Sequence, residues 1–148
     1  MTDFTDGFRH HIPITVRFHD LDALGHVNNA RYLNYLEQGR LAYARDVWDW
    51  DGRMQTLGLI VATVTVDFKA PVHLGDTLTL YTRITRLGNK SFDMHYRLGV
   101  ITREATQPQL AADAKVTLVV YDYQQGQTVP IADDVRAAVT AYEPALNG

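Results

Sequence analysis

The sequence predicts an α+β domain in which one long helix packs against a curved antiparallel sheet. Three observations lead there. Apolar and polar residues alternate with a period of two in several separate runs. One stretch of about twenty residues switches to helical spacing, giving a single amphipathic helix. The runs after that helix are joined by short turns, which favour antiparallel neighbours.

Ile12, Ile14, Val16 and Phe18 alternate with Pro13, Thr15 and Arg17, a first strand with one buried face. Pro13 puts the beginning of that strand at an edge or outside the ladder. His10 and His11, just before it, read as surface or disordered residues. A polar loop from His19 to Val27 follows, and Asn28 or Asn29 is suited to cap a helix. Leu33, Leu36, Arg40, Ala44 and Val47 recur at helical spacing, with Leu41 and Trp48 broadening the stripe, so the helix is expected from about Asn29 to Trp48. Asp51-Gly52 is a turn. Leu59 to Phe68 is nearly continuous in apolar and β-branched residues, a second strand. Leu78, Leu80 and Ile84 mark a third, the turn Gly88-Asn89 follows, and Phe92, Met94, Tyr96, Leu98 and Val100 mark a fourth. After a loop near Gln107-Pro108, Ala114, Val116, Leu118 and Val120 form the fifth. Pro130 opens a short C-terminal helix containing Val135, Ala138, Val139 and Tyr142. Apolar residues fall on both sides of several strands, which points to oligomerisation.

The 148 residues fit one domain, 1–148, with a substantial core. A net charge of -3 gives no electrostatic reason to expect nucleic acid. No apolar run is long enough to cross a bilayer, and Thr2 to Gly7 lacks an apolar signal core, so a cytoplasmic protein with no membrane partner is expected. The chain has no cysteine, which excludes disulfides, thiolate metal sites and cysteine nucleophiles. Its one serine, Ser91, sits in no Gly-x-Ser-x-Gly elbow.

The chemistry concentrates between Phe18 and Leu33. Asp20, Asp22, His19, His26, Asn28 and Asn29 gather where a strand hands over to a helix. Free N–H groups at a helix start stabilise anions, including the oxyanion of acyl transfer. A carboxylate beside them is a candidate base or nucleophile. The segment therefore points to hydrolysis of an activated acyl group. Asp22 is the foremost carboxylate, and Asp20 reads as structural. His26 is suited to orient substrate, to shuttle a proton or to brace the loop. Glu37, two turns into the helix and on or near its apolar stripe, is either functional or a buried partner for Arg40 or a tyrosine. The spacing of His19, Asp20, Asp22 and His26 fits no metal motif, so no metal is expected.

The pattern Asp-x-Asp-x-x-Gly-His-Val-Asn-Asn-x-x-Tyr-Leu, Asp20 through Leu33, resembles the hot-dog-fold acyl-CoA thioesterases of the 4-hydroxybenzoyl-CoA thioesterase type. The likeness continues in Asp67 to Asp76, in Gly88 to Phe92 and in Ala112 to Asp122. It implies a helix wrapped by a five-stranded antiparallel sheet, with subunits paired edge to edge in a homodimer or homotetramer. It also implies hydrolysis of acyl-CoA to a free acid, with coenzyme A as part of the substrate and no cofactor. Asp22 matches the family's catalytic carboxylate, and Asn29 the position whose backbone N–H polarises the carbonyl. The implied substrate-binding set includes Gly25, Val27 and Asn28 of the loop. Ile60, Val61 and Thr63 would line the acyl pocket if the second strand passes the helix start. Lys69, Arg86 and Lys90 are candidates for the phosphates, and Ser91 shares the turn with Lys90. The segment is also similar to the plant acyl carrier protein thioesterases, with Leu24 standing where those enzymes have Asn. A hydratase or dehydratase of acyl thioesters, or a non-catalytic acyl-CoA-binding protein, are the alternatives on the same fold.

Overall fold

The structure, a computed structural model, describes residues 3–147; Met1, Thr2 and Gly148 lie outside them. In chain order the elements are β1 (His10–Ile14), α1 (Arg31–Trp48), α2 (Met54–Leu57), β2 (Leu59–Phe68), β3 (Thr77–Leu87), β4 (Ser91–Ile101), β5 (Gln109–Asp122), β6 (Gln127–Thr128) and α3 (Asp133–Tyr142). The main sheet is antiparallel with strand order β1-β3-β4-β5-β2, and the two-residue β6 adds to β5. Long alternating strands and tight turns produce this order: the Gly88 N–H donates to the Ser91 carbonyl at 2.7 Å and closes the β3–β4 hairpin.

Alternation sorts the sheet into two faces. Leu80, Thr82, Ile84, Phe92, Met94, Tyr96, Ala114, Val116 and Leu118 are buried on the face that α1 covers. Arg83, Asp93, His95, Arg97, Asp113, Lys115 and Thr117 alternate with them on the opposite face. Gly39 brings α1 close: a Cβ there would lie 2.5 Å from Leu80 Cδ2 and 3.0 Å from Thr82 Oγ1. The helix is then pinned by polar contacts inside the core. Arg40 Nη1 donates to the Tyr96 hydroxyl at 3.1 Å, and the buried Tyr43 hydroxyl donates to Glu143 Oε2 at 2.6 Å. The same carboxylate oxygen accepts the Ile84 N–H at 3.1 Å, tying the end of α3 to β3.

The first strand is shorter and earlier than its alternation implies. Pairing ends at Ile14, opposite Leu78. Val16 stays buried, but Phe18 is 74% exposed. The reason is local: Asp20 Oδ2 accepts the Arg17 N–H at 2.9 Å and turns Phe18–Asp20 into a 3-10 helix. Pro13 sits in an edge strand, where its missing N–H is tolerated. His10 is buried, not on the surface. It pairs with Thr82 in the ladder, and its Nε2 lies 2.8 Å from Asp46 Oδ2 on α1. The helix α1 begins at Arg31 rather than Asn29, because Asn28 first makes a turn: its Oδ1 accepts the Ala30 N–H and its carbonyl the Arg31 N–H. The C-terminal helix is present as expected. β2, by contrast, is an edge strand whose residues are nearly all exposed.

Candidate active site

The loop after the first strand is organised around Asp22. Leu21 and Val27 bridge across it, and the Asp22 N–H donates to the His26 carbonyl at 2.7 Å. Asp22 Oδ1 accepts the Leu24 N–H at 2.9 Å and the His26 N–H at 3.2 Å. Gly25 closes the turn at φ 81°, a conformation that favours a residue without Cβ. One carboxylate oxygen thus holds the loop, while Oδ2 makes no hydrogen bond among the described residues.

Asp20, two residues earlier, has the opposite environment. It is 2% exposed, and its Oδ2 accepts the Tyr35 hydroxyl at 2.8 Å besides the Arg17 N–H. Burial, reinforced by the Asp20 carboxylate, pushes the Tyr35 hydroxyl well above the ordinary tyrosine range. The Asp20 carbonyl accepts the Asn28 N–H at 2.8 Å. Asp20 therefore fastens the helix start to the core.

The loop docks on the β2–β3 connection. The Val27 N–H donates to the Val72 carbonyl at 2.8 Å, and His26 bridges His73. Their rings meet edge to face, 4.8 Å between centroids. A cavity of about 270 Å³ opens there, lined by Asp22, His26, Val27, Asn29, Tyr32 and the segment Phe68 to Pro71. The Tyr32 ring packs edge-on against Phe68 at 4.9 Å. The Asn29 carbonyl accepts the Tyr32 N–H, but the Asn29 N–H has no partner among the described residues. A free carboxylate oxygen and a free amide at a helix start thus belong to residues of one cavity, and that combination can bind and attack a polarised carbonyl.

Of the residues singled out in the sequence, Asp22, His26, Val27, Asn29 and Lys69 meet around this cavity. Gly25 and Asn28 shape the same loop without lining it. Glu37 does not join them. It is exposed, and Arg40 is committed to Tyr96, so the buried pairing of Glu37 with Arg40 or a tyrosine is absent. Instead Glu37 lines a trough of about 230 Å³ between α1 and β2, together with Leu33, Leu36, Arg40, Val61 and Val64. A bulge between Val61 and Thr63 sends Thr63 to the other face of the sheet, into a cavity with Arg83, His95 and Lys115. Ile60 lies near the start of β2 and is exposed. Arg86 is held by Asp93 at 2.7 and 3.1 Å and by Ser91 Oγ at 3.0 Å. Lys90 and Ser91 stand at the far end of the sheet. Ser91 faces Val119, which faces Ile60, whereas Phe68 of the cavity faces Ala112. The two rows are roughly 23 Å apart along β5. Tyr32, which the sequence leaves open between core and pocket, lines the cavity, whereas nothing in the sequence singles out His73 or the Phe68 and Pro71 wall as a site. A single histidine in a hairpin carries no periodic signal, and only the backbone bridge brings it to His26.

A long helix wrapped by a curled antiparallel sheet, with a carboxylate loop at the helix start, defines a hot-dog domain. The chain belongs to the thioesterase-like superfamily, whose family model matches residues 16–139. It is 30% identical over 133 residues to the long-chain acyl-CoA thioesterase FadM of Escherichia coli, spanning 83% of this chain and 91% of that protein. The crystal structure of a Thermus thermophilus thioesterase complexed with coenzyme A and Zn is similar at a TM-score of 0.81 and 31% identity, covering 94% of this chain and 97% of that one. A 4-hydroxybenzoyl-CoA thioesterase structure superposes with a TM-score of 0.76 at 18% identity, over 88% of this chain and 97% of that chain, a likeness of fold. Among the described residues no helix is long and apolar enough to cross a membrane.

Proposed function

We infer that the protein is an acyl-CoA thioesterase: it hydrolyses acyl-CoA to a carboxylic acid and coenzyme A. The observation that carries the mechanism is the shared cavity of Asp22 and Asn29. The thioester carbonyl sits with its oxygen at the Asn29 N–H, which holds the oxyanion as the tetrahedral intermediate forms. Asp22 Oδ2 acts in one of two ways. As a nucleophile it bonds to the acyl carbon, the C–S bond breaks, coenzyme A leaves as thiolate, and water then cleaves the mixed anhydride. As a general base it takes a proton from the water that attacks the same carbon. His26 stands beside Asp22 to orient the thioester. The similarity to thioesterases favours hydrolysis over hydration or simple binding.

The functional unit is a dimer paired along β2. Ile60, Val61, Val64 and Phe68 on this ten-residue edge strand are between 37% and 45% exposed. An exposed apolar edge is a template for another strand, and the apolar patch needs cover. Antiparallel pairing of two β2 strands sets the Ile60 end of one copy against the Phe68 end of the other. Lys90 and Ser91 of the second copy then approach the Asp22 cavity, and the α1–β2 trough closes into a dry site for the acyl chain.

The test is steady-state release of free thiol from a panel of short, long and aromatic acyl-CoAs, with Asp22→Asn as the variant. Asn keeps an Oδ1 acceptor for Leu24 and His26, so the loop survives while the reactive oxygen is lost. Turnover is expected to drop by about 10²–10⁴, the range for a lost acid–base group. A variant as active as the wild type would reject Asp22.

A further inference from the structure

The wall that His26 contributes to the reaction cavity has a second side. His73, in ring contact with His26, lines a separate basin of about 420 Å³ with Leu74, Asp76, Thr102, Arg103 and Glu104. The basin lies where the β2–β3 connection meets the β4–β5 connection. Its floor is built rather than loose. The Asp76 side chain is 4% exposed; its Oδ2 accepts the His73 N–H at 2.9 Å and lies 3.6 Å from His73 Nδ1. The Arg103 guanidinium lies against Gly75, where a Cβ would strike it. Arg103 has no ion pair or hydrogen bond among the described residues, although Glu104 is its neighbour.

Within one chain the other cations named for the substrate's phosphates leave a gap on this side, and Lys90 approaches the Asp22 cavity only from the second copy of the proposed dimer. Lys69 lines the reaction cavity itself, Arg86 is spent on Asp93, and Lys90 is at the other end of the sheet. We propose that the Arg103–His73–Thr102 basin binds a phosphate of the nucleotide end of coenzyme A, supplied by the same chain that supplies Asp22. The proposal rests on the acyl-CoA reading above. A free guanidinium fork matches phosphate oxygens in pairs, and the His73 ring and Thr102 hydroxyl stand at the same rim as further donors. Leu74, 45% exposed, offers the adenine ring an apolar surface. Asp76 is turned to His73, so Glu104 is the one carboxylate of the basin that opposes the phosphate.

The experiment compares hydrolysis of an acyl-CoA with that of the matching acyl N-acetylcysteamine thioester, which has no nucleotide. Arg103→Ala raises KM for acyl-CoA about tenfold, the size of a lost charged hydrogen bond, with kcat little changed and the short thioester unaffected. Arg103→Lys recovers part of the loss, and Glu104→Gln lowers KM for acyl-CoA. Calorimetric titration with coenzyme A and with dephospho-coenzyme A reads the same site without turnover. Loss of the Arg103 effect with the dephospho form assigns the 3′-phosphate, and its persistence assigns the pyrophosphate. Arg103→Ala that leaves both KM and coenzyme A affinity within about twofold of wild type, or that raises KM for both thioesters alike, overturns the proposal. Wild-type protein that cleaves neither thioester overturns the thioesterase reading instead, while the titration still decides the basin.

Discussion

Replacing Tyr35 with Phe tests how the reactive loop is held. The hydroxyl donates to Asp20 Oδ2 at 2.8 Å, and both residues are almost wholly buried, at 2% exposure each. Phe fills the same space, so the change removes one hydrogen bond and opens no cavity. The Asp20 side chain then keeps the Arg17 N–H, at 2.9 Å, as its remaining donor. A hydrogen bond to a charged group contributes about 1.5–3 kcal/mol, and the partner left short cannot recover it from water at this depth. The expected loss is therefore about 2 kcal/mol, or roughly a 4–8 °C fall in Tm for a chain of this size.

Urea unfolding is the appropriate assay: the midpoint falls while the slope stays constant, because the surface exposed on unfolding is unchanged. A double-mutant cycle with Asp20→Asn isolates the pair, and a coupling of about 1 kcal/mol or more is expected. Activity falls too, since the Asp20 carbonyl holds the Asn28 N–H at the helix start, but by much less than in Asp22→Asn. Stability within about 0.5 kcal/mol of wild type, or no coupling, would refute the claim that this buried pair anchors the loop.

Two further outcomes follow from the fold. Burial depresses the His95 pKa below 6.5 despite Asp113 at 2.6 Å, so below pH 6.5 the unfolded chain binds more protons at this residue than the folded one. This contribution to stability is present above pH 6.5 and is lost as the pH falls below it; thermal unfolding between pH 7.5 and 5 shows a steeper decline for wild type than for His95→Gln, and parallel curves would refute the assignment. Val64→Lys places a charge on the exposed β2 edge and yields a monomer by light scattering with reduced turnover; a dimer of unchanged mass would remove β2 from the interface.

The strands that the sequence reveals best are those with one apolar and one polar face. β3 and the middle of β5 alternate because α1 covers one side and polar or charged side chains occupy the other; β4 follows the same period, although His95 and Gly99 on its polar face are buried too. The loop that carries Asp22 is legible for a different reason. Its polar neighbours are contiguous in sequence, and the loop between a strand and a helix gathers them without long-range help. What alternation misreads is the exit from β1. Val16 is buried although the ladder has ended, and Phe18 continues the pattern yet points to solvent, because Asp20 folds the backbone into a turn. A periodic rule sees which residues are apolar, not which amide a nearby carboxylate has captured. His10 fails in the same way: its burial depends on Asp46, 36 residues later.

β2 carries a different lesson about what one chain can disclose. A near-continuous run such as Leu59 to Phe68 reads as a strand buried on both faces. In the folded chain it is an edge, with one side of its ladder open and its apolar residues in water. The composition and the position disagree only if the single chain is the whole assembly. The proposed second copy along that edge would remove the disagreement: it would satisfy the free backbone groups, cover Val61 and Val64, and wall the trough that begins one helical turn beyond Asn29. The proposed pairing would also cover Asp22, which is exposed in the single chain, and a carboxylate that attacks a thioester works best when shielded from bulk water. On that proposal the exposed apolar residues of β2 are a contact surface, visible in the sequence as residues but not as a site.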